Sequence, residues 1–467
     1  MSEKNIVSEF LIRKYRQTLQ LGLIKVVNEL FPGEQLKIPF SILDGVYCEF
    51  SGSLVSPREA SAIEKALKSW VKQESKIEFI GKDEQYYKYK IGDTILKSIY
   101  PSFPDTSKIG DFSLIPFDPG FILYFGSMVN DSSQFLLPEK LSKTYTETQR
   151  WLENLKLDKV EDVNSVILNN NHLDLISIAE ALHEKEIADI ADLIVQEKKT
   201  IRIILISGPS SSGKTTFAQR LSTQLKVNGL KPVPLSLDDY FLNREDTPKD
   251  ETGQYDFDSL EALDLPLLNE QIEKLLKGER VEVPTFDFVT GRRISTGQTL
   301  CLDKDEVLVI EGIHALNPRL LPNIDKSKFF KIYISALFLL NIDSYNRVPT
   351  TDARLIRRIV RDYKYRGFGP ERTLKQWPSV RRGETNNVFK YQEEADVMFN
   401  SSLIYELNAL RAYAEPLLRK ITEESEYYED ASRLLNLLSF FESMDTTKVP
   451  FNSILREFIG EGLYTED

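Results

Sequence analysis

A chain of 467 residues is too long for one ordinary hydrophobic core and calls for two to three domains. Its 71 acidic against 59 basic residues leave a net charge of −12, which argues against a DNA-binding or nucleic-acid coat protein and against a polybasic membrane anchor; an anionic ligand must meet a local basic cluster. Two cysteines, Cys48 and Cys301, with no C-x-x-C, exclude a disulfide scaffold and a cysteine-rich zinc site. No stretch reaches the roughly 18 apolar residues of a spanning helix, and MSEKNIVSEF lacks the apolar run of a signal peptide, so a cytoplasmic protein is expected.

Residues 1–195 read as a separate α+β domain. An opening helix runs from Phe10 to Leu30, followed by the strand-like GVYCEF and a helix near Pro57 to Glu74. Short strands with Pro, Gly and Asp turns continue to Phe125. The amphipathic stretch Leu173 to Glu197 is expected to bridge the two halves.

From 196 to 467 strand-like runs alternate with helical segments. That alternation predicts an α/β fold with a parallel sheet and helices on both faces. The expected strands are IRIILIS, Val233–Leu237, Glu306–Glu311 and Phe329–Ser335. A helix is expected over Leu265–Leu276, ending at Gly278, and leucine-rich helices over Ser401–Ile421 and Glu429–Met444.

The segment Ile203 to Phe217, IILISGPSSSGKTTF, joins a strand to a glycine-framed loop and a helix. Gly208, Gly213, Lys214 and Thr215 fill the G-x-x-x-x-G-K-[ST] spacing of a nucleoside-triphosphate site. Backbone N–H groups of Ser210, Ser211, Ser212 and Thr216 are expected around the phosphates, Lys214 on the β- and γ-phosphates, and Thr215 on Mg²⁺. A phosphate cradle alone does not separate kinases from ATPases or switches. SLDDYF places Asp238 and Asp239 at the end of the second strand, beside the ligand crevice of an open sheet. There Asp238 can deprotonate an acceptor hydroxyl; standing alone, the pair reads equally as a solvated turn cap. VLVIEG ends in Glu311, an acid placed to hold Mg²⁺ or its water. The segment TDARLIRRIVRDYKYRG carries Arg354, Arg357, Arg358, Arg361, Lys364 and Arg366, with Asp362 the only acid among them. It is expected to close over the triphosphate, against the plainer reading of a solvated or RNA-facing basic helix.

Taken together, GPSSSGKTT, SLDDYF, YDFDSLEALD, VPTFDFVTGRR, VLVIEGIHALN, TDARLIRRIVRDYKYRG and SILREFIG resemble the uridine kinase and phosphoribulokinase group of P-loop kinases, over roughly residues 200 to 460. The resemblance implies ATP and Mg²⁺ as cofactors, Asp238 as catalytic aspartate, Glu311 as the magnesium-associated acid, and Arg354 and Arg357 as lid arginines. It also puts Glu261 near the ribose hydroxyls. Asp239, Tyr240, Phe286, Phe288 and Arg292 complete the expected acceptor site. Uridine-cytidine kinases carry Y-D-F-x-x-H at the base pocket, where this chain has Phe286 and Gly291. Both polar handles are absent, a change large enough to alter specificity.

More faintly, FPGEQLKIPFSILDGVYCEF and SAIEKALKSWVKQ resemble the second N-terminal domain of threonyl-tRNA synthetases. That domain hydrolyses mischarged tRNA with paired histidines and a cysteine. Here His172, His183 and His314 form no H-x-x-x-H, so editing is not expected. His183 reads as a helix-surface residue, and His314 as a candidate to face the site.

The sequence thus predicts a Mg²⁺-ATP-dependent kinase acting on a hydroxyl of a nucleoside. One alternative is a kinase of a sugar phosphate, pantothenate or glycerate, for which Arg292 and Arg293 argue. Another is an RNA-associated nucleotide switch whose first domain grips tRNA. Related kinases often form dimers or tetramers, so a homo-oligomer is compatible with this reading.

Overall fold

The computed structural model describes residues 9–42, 44–83, 85–126, 139–197, 200–249, 253, 255–287 and 290–464. The chain divides into two compact units. The first comprises Met1–Ser165, Leu339–Pro349 and Ala431–Glu442; the second comprises Val166–Phe338, Thr350–Asp430 and Ser443–Asp467.

In the first unit the helix Glu9–Leu30 packs against Pro57–Lys72. Contact is close because Gly22 has no side chain: a Cβ there would lie 2.1 Å from the Trp70 ring. Pro57–Lys72 starts with a capping box. The Ser56 hydroxyl accepts from Glu59 N, the Glu59 carboxylate accepts from Ser56 N at 2.7 Å, and Pro57 opens the first turn. An antiparallel sheet runs in the order Leu36–Lys37, Gly45–Phe50, Gly120–Tyr124, Ser113–Phe117, with Ser41–Ile42 also beside Gly45–Phe50. A three-stranded meander comprises Glu78–Lys82, Tyr87–Ile91 and Thr94–Ser98. Two pieces from far along the chain complete this unit. Ser344 O accepts from Ile38 N at 2.9 Å, Asn346 bridges Lys97 O and Ile99 N, and Asn436 donates to Gln85 O at 3.2 Å.

The second unit is built on a five-stranded sheet, parallel throughout, in the order Lys231–Ser236, Glu306–Glu311, Ile203–Ser207, Phe329–Ser335, Val397–Asn400. Every residue of Ile203–Ser207 is buried, and since successive side chains point to opposite faces, both faces are covered. The chain leaves this central strand for its far neighbour on one side and later fills the other side. Its C-terminal end is therefore a switch point, where open parallel sheets form a crevice. The four expected strands are present, and Val397–Asn400 adds an edge strand the sequence reading lacks. The helix Leu265–Leu276 is capped by Asp264, which accepts from Leu267 N at 3.1 Å, and is followed by Gly278 at φ 79°.

The sequence boundary at 195/196 differs from the observed division. Helix His172–Gln196 lies in the second unit because its polar groups are satisfied there: Glu184 accepts from Arg220 at 2.7 Å, and Glu180 from Tyr405 at 2.8 Å and from Ser453. His183, expected on a helix surface, is buried. It donates through Nε2 to Ser402 O at 3.1 Å and meets the Phe399 ring edge-on.

Candidate active site

The loop after the central strand owes its path to two glycines and one strained serine. A Cβ at Gly208 would come within 2.1 Å of Ile334 O, so only glycine lets the backbone leave the sheet this close to the adjacent strand. Ser211 (φ 58°) and Gly213 (φ 84°) take left-handed conformations and turn the loop back to open the helix Lys214–Val227. Lys214 folds over the loop and donates to Pro209 O at 3.1 Å. The hydroxyls of Ser211 and Ser212 are buried with no hydrogen-bond partner among the described residues. A helix N-terminus, a folded-back lysine and two unsatisfied buried hydroxyls fit a polyphosphate.

Three charged groups converge beside the loop. Ser236 and Glu311 are paired neighbours at the ends of adjacent strands, and Ser236 Oγ donates to Glu311 Oε1 at 3.0 Å. The same hydroxyl accepts from Asp238 N at 3.3 Å, starting the short 3-10 turn Leu237–Tyr240. Burial pushes the Glu311 carboxyl up to about 7; the charge of Asp238 adds to that, and Lys214 opposes it. Burial in turn lowers Lys214, against the pull of Glu311, Asp238 and Glu457. Lys214, Asp238 and Glu311 therefore share one electrostatic neighbourhood, while Thr215 stands exposed in the first helical turn.

The basic helix Thr350–Arg366 departs from expectation. Arg354 and Arg357, expected to face the triphosphate, are 1% and 0% exposed. Arg354 pairs with Glu384 and donates to Ser210 O at 3.0 Å. Arg357 makes a bidentate pair with Glu406 at 3.1 and 2.5 Å and reaches Ser211 O at 3.3 Å. Both brace the loop through its carbonyls and are neutralised by internal carboxylates. Arg358 instead donates to Ser210 Oγ at 2.8 Å. Arg358, Arg361 and Arg366 all pivot on Asp362, which is fully buried, at 3.1, 3.2 and 3.4 Å. Arg361 is close enough to depress Lys214, and Arg366, pushed down to about 10 mainly by burial, feels Asp238.

The residues expected at the acceptor are also arranged differently. Asp239 turns to the hairpin Thr285–Ile294 and accepts from Phe286 N at 3.2 Å; burial raises its carboxyl. Phe286 packs against Phe241 at 5.7 Å. Tyr240 is fully buried and spends its hydroxyl on Gln271 at 2.7 Å, so it belongs to the core. Glu261 lies on the surface paired with Arg319 at 2.6 Å, and Arg292 lies on the surface paired with Glu245 at 3.1 Å. Phe288 lies outside the described residues. Gly291 (φ 70°) is covered by Arg244, whose Cζ would be 2.8 Å from a Cβ, so a side chain here would collide with the guanidinium unless it moved. His314 is buried, and burial pushes it down to about 4.

Sequence reasoning missed Asp258. Three residues before Glu261 in YDFDSLEALD, it is half-buried. Burial raises it to about 7 against the pull of Arg358, and Glu384, Asp256 and Asp238 raise it further. Gly383 permits this close packing, since a Cβ there would stand 2.2 Å from Asp258 Cβ. An acid directly after an aromatic residue in a turn was the available signal.

The Phosphoribulokinase / Uridine kinase family matches residues 203–405. A uridine kinase of Staphylococcus aureus is 31% identical over 39% of this chain and 79% of its own length. One of Staphylococcus haemolyticus is 31% identical over 38% of this chain and 76% of its own length. The chain belongs to the phosphoribulokinase / uridine kinase family. A solved structure described as a possible uridine kinase from Bacillus stearothermophilus aligns with 46% of this chain and all of that one, at 21% identity and a TM-score of 0.30. As a phosphoribulokinase / uridine kinase family member, the protein is an ATP-dependent phosphotransferase with an alcohol acceptor. The family match spans the loop, Asp238, Asp258, Glu311 and the arginine helix, and stops before Glu457. Among the described residues no helix is long and apolar enough to cross a membrane.

Proposed function

We propose that the protein is a Mg²⁺-ATP-dependent kinase that phosphorylates a hydroxyl of a nucleoside-type acceptor. The observation that carries this reading is the convergence of Lys214, Asp238 and Glu311 at the ends of neighbouring parallel strands. Thr215 and Glu311 would hold Mg²⁺, which when bound neutralises β- and γ-phosphate charge. Loop N–H groups and Lys214 seat the phosphates. Asp238 takes the proton of the acceptor hydroxyl as its oxygen bonds to the γ-phosphorus. The bond from that phosphorus to the bridging oxygen breaks, and ADP leaves with the electron pair. Arg358 and Arg361, held by Asp362, supply positive charge to the transferring group. Asp239, which accepts from Phe286 N, Asp258, and the Phe241–Phe286 pair would lie on the acceptor side in this reading.

Arg244 over Gly291 supports a second reading, in which the acceptor carries its own anionic group, as a sugar phosphate or glycerate does. The synthetase-like resemblance of the first unit leaves RNA contact as a separate proposal for that unit. The test is ADP release from Mg²⁺-ATP across nucleosides, sugar phosphates, pantothenate and glycerate, with products identified by mass. Asp238→Asn is expected to keep Mg²⁺-ATP affinity while lowering turnover by about 10² to 10⁴-fold. Near-normal turnover by that variant would remove Asp238 as the base. Silence on every acceptor, with hydrolysis stimulated by RNA, would replace the kinase reading by a nucleotide switch.

A further inference from the structure

Donors on two residues of the phosphate loop and its helix, Ser210 and Thr216, are already occupied by carboxylates. Glu384 Oε1 accepts from Ser210 N at 2.9 Å, and this acid is balanced by Arg354 and by Arg381 at 3.0 Å. Glu457 differs. Its Oε2 accepts from Thr216 Oγ1 at 2.9 Å and from Thr216 N at 3.4 Å, and among the described residues it enters no ion pair with a lysine or arginine. It sits in the electrostatic neighbourhood of Glu311, another acid, as well as of Lys214.

The residue reaches this position from 241 positions away, on the turn Arg456–Ile459, beyond the segment that matches the family. That turn is firmly anchored. Arg456 donates to Val449 O at 2.8 Å and Thr446 O at 3.1 Å, and Ile454 packs where a Cβ of Gly213 would stand. Two residues of the basic helix grip the same turn: Lys364 donates to Ile459 O at 2.9 Å, and the Arg357 guanidinium lies 5.0 Å from the Phe458 ring centre. A carboxylate and a phosphate oxygen make the same demand on a first-turn N–H and hydroxyl, so one excludes the other from them.

We propose that Glu457 is a resident anion of the nucleotide site, holding the Thr216 donors until a nucleotide phosphate displaces it. This rests on the kinase reading above. Nucleotide affinity is then reduced by the fraction of time Glu457 is seated. Displacement also loosens a turn that Lys364 ties to the arginine helix, so nucleotide arrival is communicated to the element carrying Arg358 and Arg361.

The test is calorimetric binding of Mg²⁺-ATP, and of pyrophosphate as a base-free probe, to the full chain. Wild type is compared with Glu457→Gln, Glu457→Asp and Lys214→Ala. Both Glu457 variants are expected to bind about fivefold more tightly, as for a donor pair open about one-fifth of the time. The aspartate decides the cause, because it keeps the charge but is one methylene too short to sit on Thr216. Tightening by glutamine with wild-type affinity for aspartate would reduce Glu457 to general repulsion and overturn the proposal. Weakening in both would make Glu457 a ligand of the bound nucleotide or its metal and overturn it as well. Lys214→Ala is expected to abolish binding in every background. Should it not, the phosphate-site reading itself fails and the gate falls with it. If the Glu457 variants do not fold, Lys364→Gln, which frees the turn at Ile459 O, carries the same expectation of tighter binding, and unchanged affinity there overturns the proposal.

Discussion

Along one helix, Thr350–Arg366, two groups of arginines live in opposite circumstances. Arg354 and Arg357 are buried and matched to Glu384 and Glu406. Arg358, Arg361 and Arg366 share a single carboxylate, Asp362. Arg358 also feels Asp258 and Glu384, and Arg366 feels Asp238, so this group is shared among several acids in the neighbourhood of Lys214. Arg354 and Arg357 each hold a buried carboxylate, Glu384 being shared with Arg381. Charge available to a ligand is thus decided by the partners that the rest of the chain supplies, and the residue type alone does not reveal it.

The contrast is broken most strongly by Arg357→Ala. It abandons Glu406 as a fully buried charge, so unfolding in denaturant is expected to show a loss of about 3–5 kcal/mol. Arg361→Ala is the complementary case, because Asp362 retains two other arginines. Its stability is expected to stay within about 1 kcal/mol of wild type, while kcat falls by about 10²-fold or more. Equal stability losses in the two variants would erase the distinction between the groups.

A smaller effect sharpens the contrast from the opposite side of the site. Asp258 faces Arg358 and is raised to about 7 by burial. In the unfolded chain its carboxyl titrates near about 4, so the folded state binds the proton more tightly. Stability is therefore fully present below about pH 4 and is lost as pH rises towards 7. Asp258→Asn removes this dependence. Its melting temperature is expected to gain on wild type steadily across that window and to run parallel above it; a constant difference at all pH values would deny the shift.

What the sequence made legible was local. The strand, glycine-framed loop and helix from Ile203 to Val227 each carry their own signal within a few residues, and so do the apolar runs ending in Asp238 and Glu311. The hidden parts depend on distant partners. Helical spacing puts Arg354, Arg357 and Arg361 near one another, but the burying acids lie 30 and 49 residues away. Glu261 resembles a ribose-binding acid by position, while its pairing with Arg319 on the surface depends on a residue 58 positions away. Tyr240 reads as a polar handle until Gln271 is placed against it. The edge strand Val397–Asn400 has only four residues and a methionine and asparagine among them, too short and mixed to show a two-residue period.

The interleaving of the two units has a consequence for synthesis. The first unit takes Leu339–Pro349 and Ala431–Glu442 from within the span of the second, so the opening 165 residues leave the ribosome with part of their packing partners still unmade. Asn346 and Asn436 satisfy backbone groups of the meander only after most of the chain has been translated. An N-terminal unit that would ordinarily fold first must wait in a partly assembled state. A nascent chain interrupted before Ala431 would lack both a late piece of the first unit and Glu457, so completion of one unit and arrival of the carboxylate at the other depend on the same stretch of about thirty residues.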